Sequence, residues 1–180
     1  MYNKEIKIAL ALIILACSIF LFNSGEIGYG ILVLIIMGLV ILSIFKDERI
    51  VKAFYHLRKN DMQKAASTLS KIKHPEKLIR SQEAYYYYLN GLILSQTQMN
   101  QSERFFKKAL SIGLRTDTDK AVAKLNLAGL AMSRRKKREA TTLITEAKKL
   151  DKHNMLDEQL KMMKQQLKRI SDNLQMSDNL

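Results

Sequence analysis

Cysteine, proline, glycine and tryptophan are scarce in this chain. Its 180 residues hold one Cys (Cys17), one Pro (Pro75), seven Gly and no Trp. A lone cysteine excludes an intramolecular disulfide framework and a cysteine-based zinc site. So little proline and glycine excludes collagen-like, turn-rich all-β and low-complexity architectures. Sustained alternation of apolar and polar residues, the mark of strands, is missing as well. The three histidines, His56, His74 and His153, offer no i, i+4 pair and no HExxH. Gly25, Gly28 and Gly30 lack the Lys-Ser/Thr that completes a phosphate loop, and no serine sits in a G-x-S-x-G elbow. The expectation is a non-enzymatic protein with no catalytic residue, metal or cofactor. Disorder is excluded too, because 47% of the residues are apolar.

Charge is unevenly spread, which the mean hydropathy of −0.14 conceals. Residues 1–45 carry only Lys4, Glu5, Lys7 and Glu26, whereas 46–180 hold 28 basic and 15 acidic residues and the whole net charge of +13. Two apolar runs, about 8–22 and 27–45, have the length of membrane spans, for which about 17–25 residues suffice. A tight turn at Asn23-Ser24-Gly25-Glu26 makes them a transmembrane hairpin. Lys4 and Lys7 at one end, and Lys46, Arg49 and Lys52 at the other, place both termini in the cytoplasm by the positive-inside rule. The expectation is therefore a multi-pass protein of the cytoplasmic (inner) membrane, with lipid as an integral partner. Two rivals stand beside it: a buried helical pair, and a lipidated Cys17 after Ile14-Leu15-Ala16.

Residues 46–180 read as successive helices: 46–59, 61–73, 76–97, 100–113, 117–134, 136–150 and 155–173. Asn60-Asp61, His74-Pro75, Asn100 with Glu103, Asp117, and Asn154 with Asp157 supply starts and stops. The helices pair as 46–73, 76–113 and 117–150. Leu156, Leu160, Met163, Leu167 and Ile170 form an apolar stripe on a capping helix at 155–173, and 174–180 is expected to fray.

Within the third pair, Leu127, Ala128 and Ala131 are followed by Ala140, Ile144, Ala147 and Leu150. The second pair has Gly91 and Leu94, then Phe106 and Ala109, with a turn one residue short and Ser102 where Ala is usual. The first has Ala53, Ala65 and Leu69. This order of small and large residues resembles the tetratricopeptide repeat (TPR) over about residues 48–152. The chain is thus expected to be all-α: a transmembrane hairpin (1–45), then a cytoplasmic TPR-like α-solenoid (46–173) of about three helix pairs and a cap.

The resemblance implies a membrane-anchored scaffold that binds a protein or peptide partner in a groove lined by the first helix of each pair. Tyr85, Tyr88, Val122, Leu125, Asn126 and Met132 are the candidate residues, with core packing between repeats as the rival reading. Ile50 and Phe54, at the places where some relatives clamp a C-terminal carboxylate, argue against that mode. The run Arg134-Arg135-Lys136-Lys137-Arg138 is the second candidate surface. Five adjacent cations need water, phosphates or acidic partners, so the alternative function is electrostatic binding of anionic lipid or of RNA or the ribosome. No RNA-binding motif accompanies the run, and nucleic acid ranks last among the partners.

Overall fold

The computed structural model describes residues 4–23, 27–45 and 47–178. The described residues are all helical apart from turns, with no strand among them. Contacts divide the chain into two compact units, Met1–Glu48 and Arg49–Leu180.

In the first unit, α1 (Lys4–Asn23) packs against α2 (Ile27–Phe45). Ser18 and Gly30 are buried, while Leu12, Ile13, Ile19 and Phe20 of α1 and Tyr29, Ile31, Leu32 and Ile35 of α2 are exposed. Three of the turn residues expected between the helices, 24–26, lie outside the described residues, as does Lys46. Among the described residues no helix is long and apolar enough to cross a membrane. That finding corrects the transmembrane hairpin, the membrane anchor, the inner-membrane location and the cytoplasmic termini drawn from it.

The second unit contains α3 (Glu48–Arg58), α4 (Met62–Leu69), a 3-10 turn (Pro75–Lys77), α5 (Arg80–Leu94), α6 (Met99–Ile112), α7 (Asp117–Ser133), α8 (Lys137–Leu150) and α9 (Asp157–Asp178). Helices α5 and α6 pack along each other, as do α7 and α8, and Arg49 Nη1 donates to the Lys71 carbonyl at 2.6 Å across the ends of the first pair. Small residues occupy matched, buried places: Ala53, Gly91 and Ala128 in the first helices, and Ala65, Ser102 and Ala140 in the second. Four residues further on stand Leu69, Phe106 and Ile144, each almost wholly buried. Small residues let the paired backbones approach, and the large side chains fill the space that remains.

Turn chemistry explains where the pairs differ. Asn60 and Arg135 adopt positive φ (60° and 57°). The next N–H groups reach back, Asp61 to the His56 carbonyl and Lys136 to the Ala131 carbonyl, each at 2.9 Å. With Asn60 N–H on Leu57 and Arg135 N–H on Met132, both are Schellman ends. The shorter turn of the second pair lacks this closure, and Ser95 N–H turns to the Leu92 carbonyl. The Gly91 carbonyl is instead met by the Ser102 hydroxyl, which donates to it at 2.8 Å in a buried site. Serine thus replaces alanine because this turn leaves a carbonyl in need of a donor. Ser102→Ala is expected to cost about 1–2 kcal/mol, the penalty of an unsatisfied buried acceptor. Urea unfolding would check it; a midpoint equal to wild type would mean that another donor reaches Gly91.

Several sequence-derived starts move. Asn100 and Glu103 are not a capping box, because α6 begins at Met99 with Gln98 as its cap residue and both lie inside the helix. Thr116 rather than Asp117 caps α7, its Oγ1 accepting from Asp119 N–H at 3.0 Å. Asp151, buried, accepts from Met155 N–H at 3.0 Å and Leu156 N–H at 2.8 Å ahead of α9. The tail expected to fray from 174 is helical to Asp178, while residues 179–180 lie outside the described residues. Leu156, Leu160 and Leu167 of the expected capping stripe are buried against α7 and α8. The side chain of Ile170 is not among those described.

Candidate interaction surfaces

The residues expected in the first-helix groove divide by burial. Tyr88, Leu125 and Met132 are buried, and Tyr85, Val122 and Asn126 are half-buried. Tyr88 meets Phe106 edge-on at 6.2 Å. Leu125 and Met132 belong to the core shared with Leu156, Leu160 and Leu167, and Met163 of α9 approaches Gly129 of α7. Asn126 donates its amide to the Val122 carbonyl at 2.9 Å. The rival reading offered for these positions, core packing between repeats, describes the three buried ones.

Tyr85 ties two pairs together. Its hydroxyl donates to Asp119 Oδ2, which also accepts from Thr116 Oγ1 at 2.5 Å. Burial first, and the Asp119 carboxylate second, push its phenol from 10.0 up to about 12. Burial likewise pushes the Tyr88 phenol up. A phenol whose folded pKa is raised contributes stability that is fully present below pH 10 and is lost as pH rises toward about 12, because the unfolded phenol ionises first. Melting temperature is therefore expected to fall between pH 10 and 12, and to fall less steeply in Tyr85→Phe. Parallel curves for the two proteins would show that the phenol does not carry this dependence.

None of the four consecutive tyrosines 85–88 is fully exposed. Tyr86 and Tyr87 meet edge-on at 5.4 Å, and Tyr87 lies against Phe105 at 6.0 Å. Within the second unit, three large apolar side chains are exposed together on α3, Val51 (64%), Phe54 (42%) and Tyr55 (54%), while Met62, Met99, Met155 and Met162 are exposed on other segments. Spaced i, i+3, i+4, they share an arc of about 100°, beside the arc of Ile50 and Ala53 that enters the core. Phe54 follows Ala53 as Leu92 follows Gly91 and Gly129 follows Ala128, so it belongs to the same first-helix face. Arg58 is exposed beside this patch, and the Lys59 ammonium stands 4.6 Å over the Tyr55 ring. Sequence reading placed Phe54 on that face but missed Val51 and Tyr55. The signal was available: Ile50, Val51, Ala53, Phe54, Tyr55 and Leu57 are too many apolar residues for one buried stripe.

The basic run is exposed throughout. Arg134 is anchored, its guanidinium donating to Glu103 Oε2 and, at 2.7 Å, to Asn100 Oδ1. Lys107 also donates to Glu103, at 2.6 Å, and these two partners hold the Glu103 carboxyl below its ordinary range, Lys107 first. Asn100 and Glu103, expected as caps, thus join the second pair to the third. Lys136 pairs with Glu139 at 3.5 Å. Asp117, bonded to Lys152 at 2.9 Å and Lys120 at 3.0 Å, also titrates below its ordinary range.

Among the described residues no group of three or more His, Cys, Asp or Glu could hold a metal ion. His74 Nδ1 lies 3.0 Å from Glu76 Oε1 on the surface. A recess in the first unit is lined by Ala16, Ile19, Phe20 and Asn23, all of one helix. Compared with protein-family models, with curated proteins and with solved structures, the chain matches none.

Proposed function

We propose that this protein is a non-enzymatic, TPR-type interaction module that binds a protein or peptide segment through the first-helix face of its helix pairs. The observation that carries the reading is the exposure of Val51, Phe54 and Tyr55 together on α3. Large apolar side chains gathered at one surface mark binding sites more often than chance exposure does, and aromatic residues are strong anchors in such sites. Arg58 and Lys59 beside the patch favour a partner whose apolar side chains are flanked by acidic residues. The TPR-like order of small and large residues, at matched buried places in all three pairs, supports the same reading. Half-buried Tyr85, Val122 and Asn126 extend the face, while buried Tyr88, Leu125 and Met132 hold its backbone in place.

The test is photo-crosslinking in cells from a reactive amino acid at position 55, with partners identified by mass spectrometry. Phe54→Ala and Val51→Asp are expected to remove the captured partner without changing the melting temperature, since both side chains are exposed. The same partners captured by both variants would refute binding at α3.

A further inference from the structure

The outer face of α8 and the turn before it carry a second surface of different chemistry. Lys137, Arg138, Thr141, Thr142, Thr145, Lys148 and Lys149 are all exposed, and every one of them is basic or hydroxylic. The two carboxylates of α8 are half-buried and engaged, Glu139 with Lys136 and Glu146 with Lys124 at 2.5 Å. Thr141, Thr142 and Thr145 turn their hydroxyls onto the carbonyls of Lys137, Arg138 and Thr141. The stripe therefore meets an incoming anion with cations at both ends and no free carboxylate between them. Arg135, exposed in the preceding turn, extends it.

We infer that this face binds the phosphate backbone of double-stranded nucleic acid without reading its sequence. From Lys137 to Lys148 the helix rises about 16 Å, a length over which one strand of a duplex presents roughly five phosphates. Lysine and arginine are the usual phosphate-contacting cations, and the threonines between them, their hydroxyl protons already given to backbone carbonyls, add no charge of opposite sign. Recognition of single strands needs aromatic platforms for stacking, and the stripe has no aromatic residue. Insertion into a lipid surface calls for large apolar anchors, and the stripe has none of these either. What it offers is charge spaced along a line.

Fluorescence anisotropy of the full-length chain with duplex RNA and duplex DNA, each of two unrelated sequences, tests the inference. With about four phosphates neutralised, affinity is expected to fall roughly 150-fold between 50 and 200 mM salt, and equally for both sequences of one duplex type. The two duplex types separate RNA from DNA as the source of the phosphates. Lys148→Glu/Lys149→Glu is expected to weaken binding at least about 30-fold and to reduce the salt slope by about two. Lys71→Glu/Lys73→Glu removes the same charge from exposed sites elsewhere in the second unit, and is expected to change binding less than about threefold. Equal losses in the two double variants would reduce the effect to net charge and overturn the assignment to α8. Absence of duplex binding at 50 mM salt, or tighter binding to phosphatidylserine vesicles that only the α8 variant loses, would also overturn it.

Discussion

Phe106→Ala is expected to lower the unfolding free energy by about 3–5 kcal/mol, the usual cost of deleting a buried phenyl ring. Phe106 is 0% exposed, and three surroundings depend on it. Tyr88 rests its ring edge-on against it, Gly91 lies beneath its ring, and both the first and second pairs share its core. Truncation would leave a void that Gly91 cannot fill and that two helix backbones can close only by moving. Urea unfolding followed by circular dichroism measures the change through the midpoint at constant slope. Phe105 is half-buried and lies against Tyr87 on the neighbouring face, so Phe105→Ala is the matched control with a smaller loss. A loss below about 1.5 kcal/mol for Phe106→Ala would mean that the core refills, which the fully buried setting argues against.

The two helical glycines of the second unit should respond to substitution with opposite signs. A Cβ at Gly91 would stand 2.9 Å from Cδ1 and Cε1 of Phe106, closer than packed carbons approach. That ring is enclosed and cannot retreat, so Gly91→Val is expected to destabilise by about 3 kcal/mol, the upper part of the range for overpacking. Combining it with Phe106→Leu, which removes the obstructing ring atoms, should cost less than the two single losses added together. At Gly129 the added Cβ would meet only Met163 Cε, at 3.8 Å, an ordinary contact. Gly129→Ala is therefore expected to stabilise by up to about 1 kcal/mol through helix propensity. Equal responses at the two positions would contradict the packing described around Phe106.

Much of the fold was legible because helical periodicity and small-residue spacing act locally. Ala53, Ala65, Leu69, Ala128, Ala140, Ile144 and Ala147, the small and large residues on which the resemblance to the TPR rests, are each buried. Functional surfaces were less legible, because exposure depends on what lies across from a side chain. Tyr88 and Leu125 look like groove anchors in a linear reading, yet Phe106 closes over one and the α9 core over the other. Val51 and Tyr55 look like more of the same apolar helix, yet they are exposed. The apolar runs of 1–45 suggested spans through their composition, and the described helices do not sustain that reading.

By itself the sequence determined that this chain is helical where described, that α5 pairs with α6 and α7 with α8, and that its positive charge lies after residue 45. Those properties follow from period, cap chemistry and composition, all of them local. Tertiary structure alone decided that Asn100 and Glu103 clasp Arg134 instead of capping a helix, and that Ser102 answers a carbonyl eleven residues away. It alone separated Gly91 from Gly129. The reason is physical: the partners of a buried or charged group are chosen by the backbones that bring them together, and spacing along the chain does not record that choice.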